Sequence, residues 1–199
     1  MARTVAALFV QKGGVYFGLP DVDPWDESRD ARKYDGPHPV VAHPPCQLWT
    51  NLARVNFKRY GGEHNRPGND GGCFESAVES VRQWGGVLEH PAGSHAWPAY
   101  GLQRPVLGSW QSTPDHDTPT GRVWVTEVWQ SAYGHKAHKR TWLYCVSQVE
   151  PQALDWSQNP GTHQIGWFDR EKPTLSKKEA SATPLAFRDL LLAIARSAR

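Results

Sequence analysis

Sulfur is scarce in this chain, which has one methionine and three cysteines among 199 residues. The cysteines, at positions 46, 73 and 145, are odd in number, far apart and never in a Cys-x-x-Cys pair. A disulfide framework is therefore not expected, and a reducing cytoplasm is the expected setting. Long apolar runs are also missing: no stretch approaches the roughly 20 residues that a membrane span needs, and the apolar segment behind Met1-Ala2-Arg3-Thr4 is too short for a secretory signal. Charge of one sign is absent as well, since 22 basic against 20 acidic residues leave a net +2. A polyanionic partner would have to be met by local patches rather than by the field of the whole molecule. The length allows one domain, and the chain contains neither a repeat nor a low-complexity tract.

What the chain has in quantity is tryptophan, ten residues of it, with nine His, 16 Pro and 18 Gly. Indole rings fill cores and also stack on nucleobases, so the composition is compatible both with an aromatic core and with a nucleic-acid or nucleoside site.

Residues 4–10 form a β-branched and apolar run before Gly13-Gly14, which predicts a buried strand and a glycine turn. The chain is polar over 21–35. A short strand over 39–42 is stopped by Pro44-Pro45, and 47–55 could hold one or two helical turns. Residues 56–72, rich in glycine and carrying Lys58, Arg59 and Arg66, are expected to form a mobile basic loop. Phe74, Ala77, Val78 and Val81 follow helical spacing up to Gly85-Gly86, and Val87-Leu88-Glu89 reads as the next strand. Helix between strands is the parallel α/β pattern, whose ligands sit beyond the carboxyl ends of the strands. The expected fold is thus a single Rossmann-like domain with a mostly parallel sheet flanked by helices. Residues 123–128 and 141–146 are further strands around the basic segment 134–140. Residues 150–182 show no period and are expected to cross the surface irregularly. Thr183 as N-cap and Pro184 at the first helical position open a last helix with Leu185, Phe187, Leu190, Leu191 and Ile194 on its apolar face.

Cys46 is the sharpest chemical candidate. Two prolines hold the backbone extended before it, and a helix start after it would favour a thiolate; the plain alternative is a small buried hydrophobe. Glu89 ends an apolar strand, where desolvation would raise its pKa and make it a proton donor near neutral pH, or where it could serve as an ion-pair partner or cap. His43, Cys46, His90 and His95 offer mixed zinc-ligand chemistry at unspecific spacing, and no metal is assigned on it. Arg54, Lys58, Arg59 and Arg66, with Lys136 and Arg140, are residues of the type that neutralises phosphates, and equally the type found on any solvated loop.

In order along the chain, four places resemble a reduced cytosine-C5 DNA methyltransferase. Leu8-Phe9 followed by Gly13-Gly14 is similar to the family's first glycine motif, and Asp23-Pro24-Trp25 to its ribose-holding acid with a neighbouring aromatic. Pro45-Cys46-Gln47 resembles the nucleophile motif, and Leu88-Glu89-His90 the family's Glu-Asn-Val. The segment from Tyr133-Gly134 through Lys139 and Thr141 resembles the Tyr-Gly, Gln-x-Arg-x-Arg motif before a strand, with Lys139 and Thr141 at its two arginines. The chain also resembles a phage-type group carrying Val-Asp-Pro-Trp-Asp, Ala-His-Pro-Pro-Cys, Leu-Glu-His-Pro-Ala and Gly-His-x-Ala-x-Lys.

The resemblance implies Cys46 as nucleophile on a pyrimidine C6, Glu89 holding the ring at N3, and Lys139 beside them. It implies S-adenosylmethionine held by Phe9, Gly13, Gly14, Asp23 and Trp25, DNA as partner, and a base flipped out of the duplex. Departures accompany it: Gln11 stands at the first motif glycine, and the length leaves no room for a separate target-recognition domain. Sequence selectivity would then be low or come from a protein partner. Two other classes stay open: a nucleoside or base transferase or glycosylase with Glu89 or Asp23 as nucleophile, and a non-catalytic DNA-binding or anti-restriction module. Trp25 and Trp49 are the tryptophans placed nearest a ligand; Trp84, Trp124 and Trp142 are assigned to packing.

Overall fold

In the computed structural model, which describes residues 3–119, 121–166 and 170–198 without the side chains of 114–117, one seven-stranded sheet organises the chain. Its first strand, β1 (Val5–Leu8), is buried along its whole length, as the apolar run requires when both faces are covered. β2 (Val22–Trp25) lies parallel to it at one edge, and β3 (Val40–Ala42) lies parallel on the other side. After α1 (Asn51–Tyr60) and α2 (Cys73–Trp84), β4 (Gly86–Pro91) joins parallel to β3. Gly86 opens that strand at φ +118°, so close to Val40 that a Cβ would strike the Val40 carbonyl; only glycine permits the pairing.

From β4 onward the sheet changes character. The one-turn helix α3 (Ala96–Ala99) leads to β5 (Gln111–Thr118), β6 (Gly121–Trp129) and β7 (Arg140–Ser147), which pair antiparallel with one another, and β7 closes antiparallel on β4. The order is β2-β1-β3-β4-β7-β6-β5. This corrects the Rossmann-like, mostly parallel expectation: the sheet is mixed, and its antiparallel part has the longer strands. Two local causes are visible. The links from β1 to β2 and from β2 to β3 hold no α-helix, only a 3-10 turn at Ala31–Lys33. The C-terminal strands are joined by direct returns, which enforce antiparallel pairing.

Two helices supply most of the cover. α2 lays Phe74, Ala77, Val78 and Val81 on one face, against Leu88, Trp142 and Tyr144. The last helix, α5 (Leu185–Ser197), follows the short α4 (Lys177–Ser181) and buries Phe187, Leu191 and Ile194 on the opposite face, against Val5, Val41, Val87 and Leu143. Its start lies after Pro184 rather than at it, and Leu185 faces solvent.

The basic stretch after Cys46 is more regular than expected. Residues 51–60 are helical and are followed by a 3-10 turn at Glu63–Asn65 and a glycine-rich link. Only Ala53 of α1 is buried, while Leu52, Val55, Phe57 and Tyr60 stay exposed beside its cations. Of the stretch 150–182, residues 167–169 lie outside the described residues, and the rest holds α4, opened by a Ser176–Glu179 capping box. Among the described residues no helix is long and apolar enough to cross a membrane.

Candidate active site

The carboxyl ends of β1, β3 and β4 bring one polar cluster together on the α5 side of the sheet. His43 follows β3 directly; Pro44 and Pro45 then carry the chain to Cys46, which caps a 3-10 turn over Gln47–Trp49. Glu89 projects from β4, and Tyr16 comes from the link after β1. His43 stands between them: its Nδ1 donates to Glu89 Oε1 at 2.8 Å, and its Nε2 lies 2.8 Å from the Tyr16 hydroxyl. The side chains of His43 and Glu89 are only 11% and 15% exposed, so the pair works in a largely desolvated setting. Lys139 arrives from the segment before β7 in a left-handed conformation, φ +35°, and its Nζ donates to the Ala182 carbonyl at 3.1 Å.

The ionisation of these groups is shared. Burial would raise the Glu89 carboxyl, but the His43 hydrogen bond and charge, with Lys139 and His90, hold it down at about 2. Burial raises the Cys46 thiol, Glu89 raises it further, and Lys139 opposes them. Burial lowers the Lys139 ammonium against the pull of Glu89 and Cys46. Tyr16 is raised well above its usual range by burial and then by Glu89. Two expectations change accordingly. Glu89 is an ionised acceptor rather than a raised acid, because His43 pairs with it. Cys46 is a neutral thiol rather than a ready thiolate, because the turn after it is three residues long and burial dominates.

His90, next to Glu89, points to the other face of β4. It is buried between Phe74 and Trp97, with ring centroids 5.1 and 6.1 Å away, and burial lowers its pKa to about 4. Its ring belongs to the aromatic core. His95 Nε2 pairs with Asn51 Oδ1 at 2.7 Å. Among the described residues, no three His, Cys, Asp or Glu side chains assemble to hold a metal. Trp49 is core too: it is buried, donates to Asp70 and packs on Phe74 and Tyr100.

The residues named for S-adenosylmethionine gather around the end of β1 but do not make its site. Phe9 turns left-handed at φ +58°, and Gly13 and Gly14 form a turn without a following helix whose N–H groups could receive a carboxylate. Both carboxylate oxygens of Asp23 are engaged, by Trp25 Nε1 at 2.7 Å and Arg29 Nη1 at 2.6 Å. Arg29 also covers the Trp25 ring at 4.0 Å. The residues present do not fit a ribose clamp, and no chemical step is derived through that cofactor.

The basic residues divide. Arg54 and Lys58 are exposed on α1, and Arg59 lies over the Tyr60 ring at 5.3 Å. Arg66 pairs with Glu63, Lys136 with Glu179, and Arg140 with Glu127. Tyr16, the pairing role of His43, and Glu127 escaped the sequence. Tyr16 and His43 join across strands with no local pattern, whereas Glu127 left a trace as a lone acid in an apolar strand facing a basic segment. No family model, curated protein or solved structure matches this chain.

Proposed function

We propose that the chain is a DNA-modifying enzyme that acts on a pyrimidine base through a covalent adduct at Cys46, the step common to any C5 modification being the activation of C5. The carrying observation is that Cys46, the His43–Glu89 pair and Lys139, drawn from three separate chain segments, gather at one end of the sheet, where Glu89 and Lys139 act on the Cys46 thiol in opposite directions. A nucleophile, a base-holding acid and a cation are the set that addition to a pyrimidine demands.

In the proposed step the Cys46 thiol gives up its proton to solvent and Sγ bonds to C6, moving the C5–C6 π pair onto C5. A solvent proton fills C5, and loss of the original C5 hydrogen with expulsion of Sγ restores the ring. Glu89, ionised, accepts from the exocyclic amine, and the His43 hydrogen bond holds its carboxylate in place. Lys139 stabilises the thiolate as it forms. The exposed cations Arg54, Lys58 and Arg59 lie on α1, the helix that follows the turn after Cys46, where a DNA backbone could be met.

DNA carrying tritium at cytosine C5 tests the step without any group donor. Tritium should pass to water with the wild type and not with Cys46→Ser. Failure of DNA to release it, with free nucleosides processed by Cys46→Ala, would move the chain to nucleoside chemistry. Salt-dependent DNA binding unchanged by Cys46→Ala and Glu89→Ala together, with no release, would make it a binding module.

A further inference from the structure

A second polar site lies on the other face at the same end of the sheet. The segment 105–107 is pinned beside β6, with the Glu127 amide donating to the Val106 carbonyl at 3.0 Å and a parallel bridge between Leu107 and Glu127. Between this segment and the start of β7 opens a pocket of about 490 Å³, lined by Arg104, Val106, Leu107, Trp129, Arg140 and Gln158 over Glu127.

The chemistry of that lining is specific. Glu127 is buried, and both of its oxygens are committed: Oε1 accepts from Arg140 Nε at 2.6 Å, and Oε2 accepts from Arg140 Nη2 at 3.0 Å and Trp142 Nε1 at 2.9 Å. Glu127 thus turns both oxygens to Arg140 and Trp142 and acts as a positioning residue. It grips Arg140 by the side of the guanidinium through Nε and one Nη2 hydrogen, so Nη1 and the second Nη2 hydrogen face away from it, on a side chain that is 50% exposed. Arg104 adds a second exposed guanidinium, and Trp129, half-buried, a flat apolar face. Two guanidinium groups without a free carboxylate call for an oxyanion, and the indole beside them for a planar ring.

We infer that this pocket binds a nucleoside monophosphate unit, its phosphate held by Arg140 and Arg104 and its base against Trp129. The placement relates it to the cluster at Cys46. Lys139 and Arg140 are consecutive, yet Lys139 acts on Cys46 and Glu89 on one face while Arg140 faces Glu127 on the other. A strand passing over the start of β7 would reach both. In this polymeric form the inference rests on the proposed DNA reading; as a nucleotide site it does not.

The test is calorimetric titration of Cys46→Ser protein with deoxycytidine monophosphate and, separately, with a ten-nucleotide single-stranded oligodeoxythymidylate. Binding of either should weaken about tenfold in Arg104→Gln, whose side chain is exposed and whose fold should be unaffected, and in Trp129→Leu. Binding of the mononucleotide alone would identify a free nucleotide site; tighter binding of the oligonucleotide would identify a subsite for a strand. Equal affinity in wild type, Arg104→Gln and Trp129→Leu, or no binding of either probe, would overturn the inference. Tritium release from C5 under those circumstances would leave the Cys46 reading standing.

Discussion

His43 and Glu89, 46 residues apart in the chain, meet at 2.8 Å across the ends of two parallel strands. The bond sets the charge state of the whole cluster, because an ionised Glu89 acts on Cys46, Lys139 and Tyr16 alike. Most of what the site can do follows from that one contact.

Its first consequence concerns acid stability. The Glu89 carboxyl falls from its ordinary 4.5 to about 2 on folding. A depressed carboxyl stabilises the fold above its unfolded value, and that contribution is lost as pH falls from about 4.5 towards 2. Glu89→Gln should be less stable than wild type at neutral pH by on the order of 1–3 kcal/mol, with the two converging near pH 2. Urea denaturation at a series of pH values measures the difference; a gap that stays constant down to pH 2 contradicts the pairing.

A second consequence is slow reactivity at Cys46. Raised by burial and by Glu89, its thiol should react with iodoacetamide more slowly at pH 7.5 than an unperturbed cysteine, and accelerate as pH rises beyond 9. Glu89→Gln removes a repelling charge and should speed alkylation, and Lys139→Met should slow it. Peptide mass spectrometry separates Cys46 from Cys73 and from Cys145, which is fully buried. Identical rates in all three proteins would dissociate the cluster.

The α1 cations should matter for binding and not for folding. Arg54, Lys58 and Arg59 are exposed, so replacing all three with Gln should leave thermal stability near that of wild type. DNA affinity should fall, and the slope of log K against log salt should become shallower by roughly 2–3. An unchanged slope would place the DNA elsewhere.

Gly86 supplies a test of the sheet itself. A methyl there would collide with the Val40 carbonyl at a φ of +118°, which side chains rarely adopt. Gly86→Ala should cost about 3 kcal/mol or more and disrupt the β3–β4 pairing that holds His43 beside Glu89. A thermal melt equal to wild type would contradict this register.

Much of this arrangement was readable from the sequence where the signal was local. β1, β3, β4, α2 and α5 follow from apolar spacing and glycine stops, and Cys46 and Glu89 from their places at strand ends. The rest depends on partners distant in the chain. β2 hides in a polar stretch because an edge strand needs little apolar surface, and all four of its residues are only half-buried. The parallel expectation came from extending the β3–α2–β4 unit over the whole sheet, although strand direction beyond it is set by returns that periodicity does not show. The ionisation of Glu89 could not be read without His43, since burial and pairing push a carboxyl in opposite directions and only contact geometry decides between them. Tryptophan illustrates the same limit: Trp49 is core, while Trp129, unmarked in the sequence, lines the pocket.

Lys139, just before β7, and Arg140, its first residue, are adjacent yet serve different compartments, Lys139 towards Cys46 and Arg140 towards Glu127. Side chains alternate across a strand, so a slip of one position would turn each cation to the wrong compartment and strip both at once. The ten residues between β6 and β7 therefore act as a length gauge. A single insertion or deletion passed on to β7 would silence both faces together.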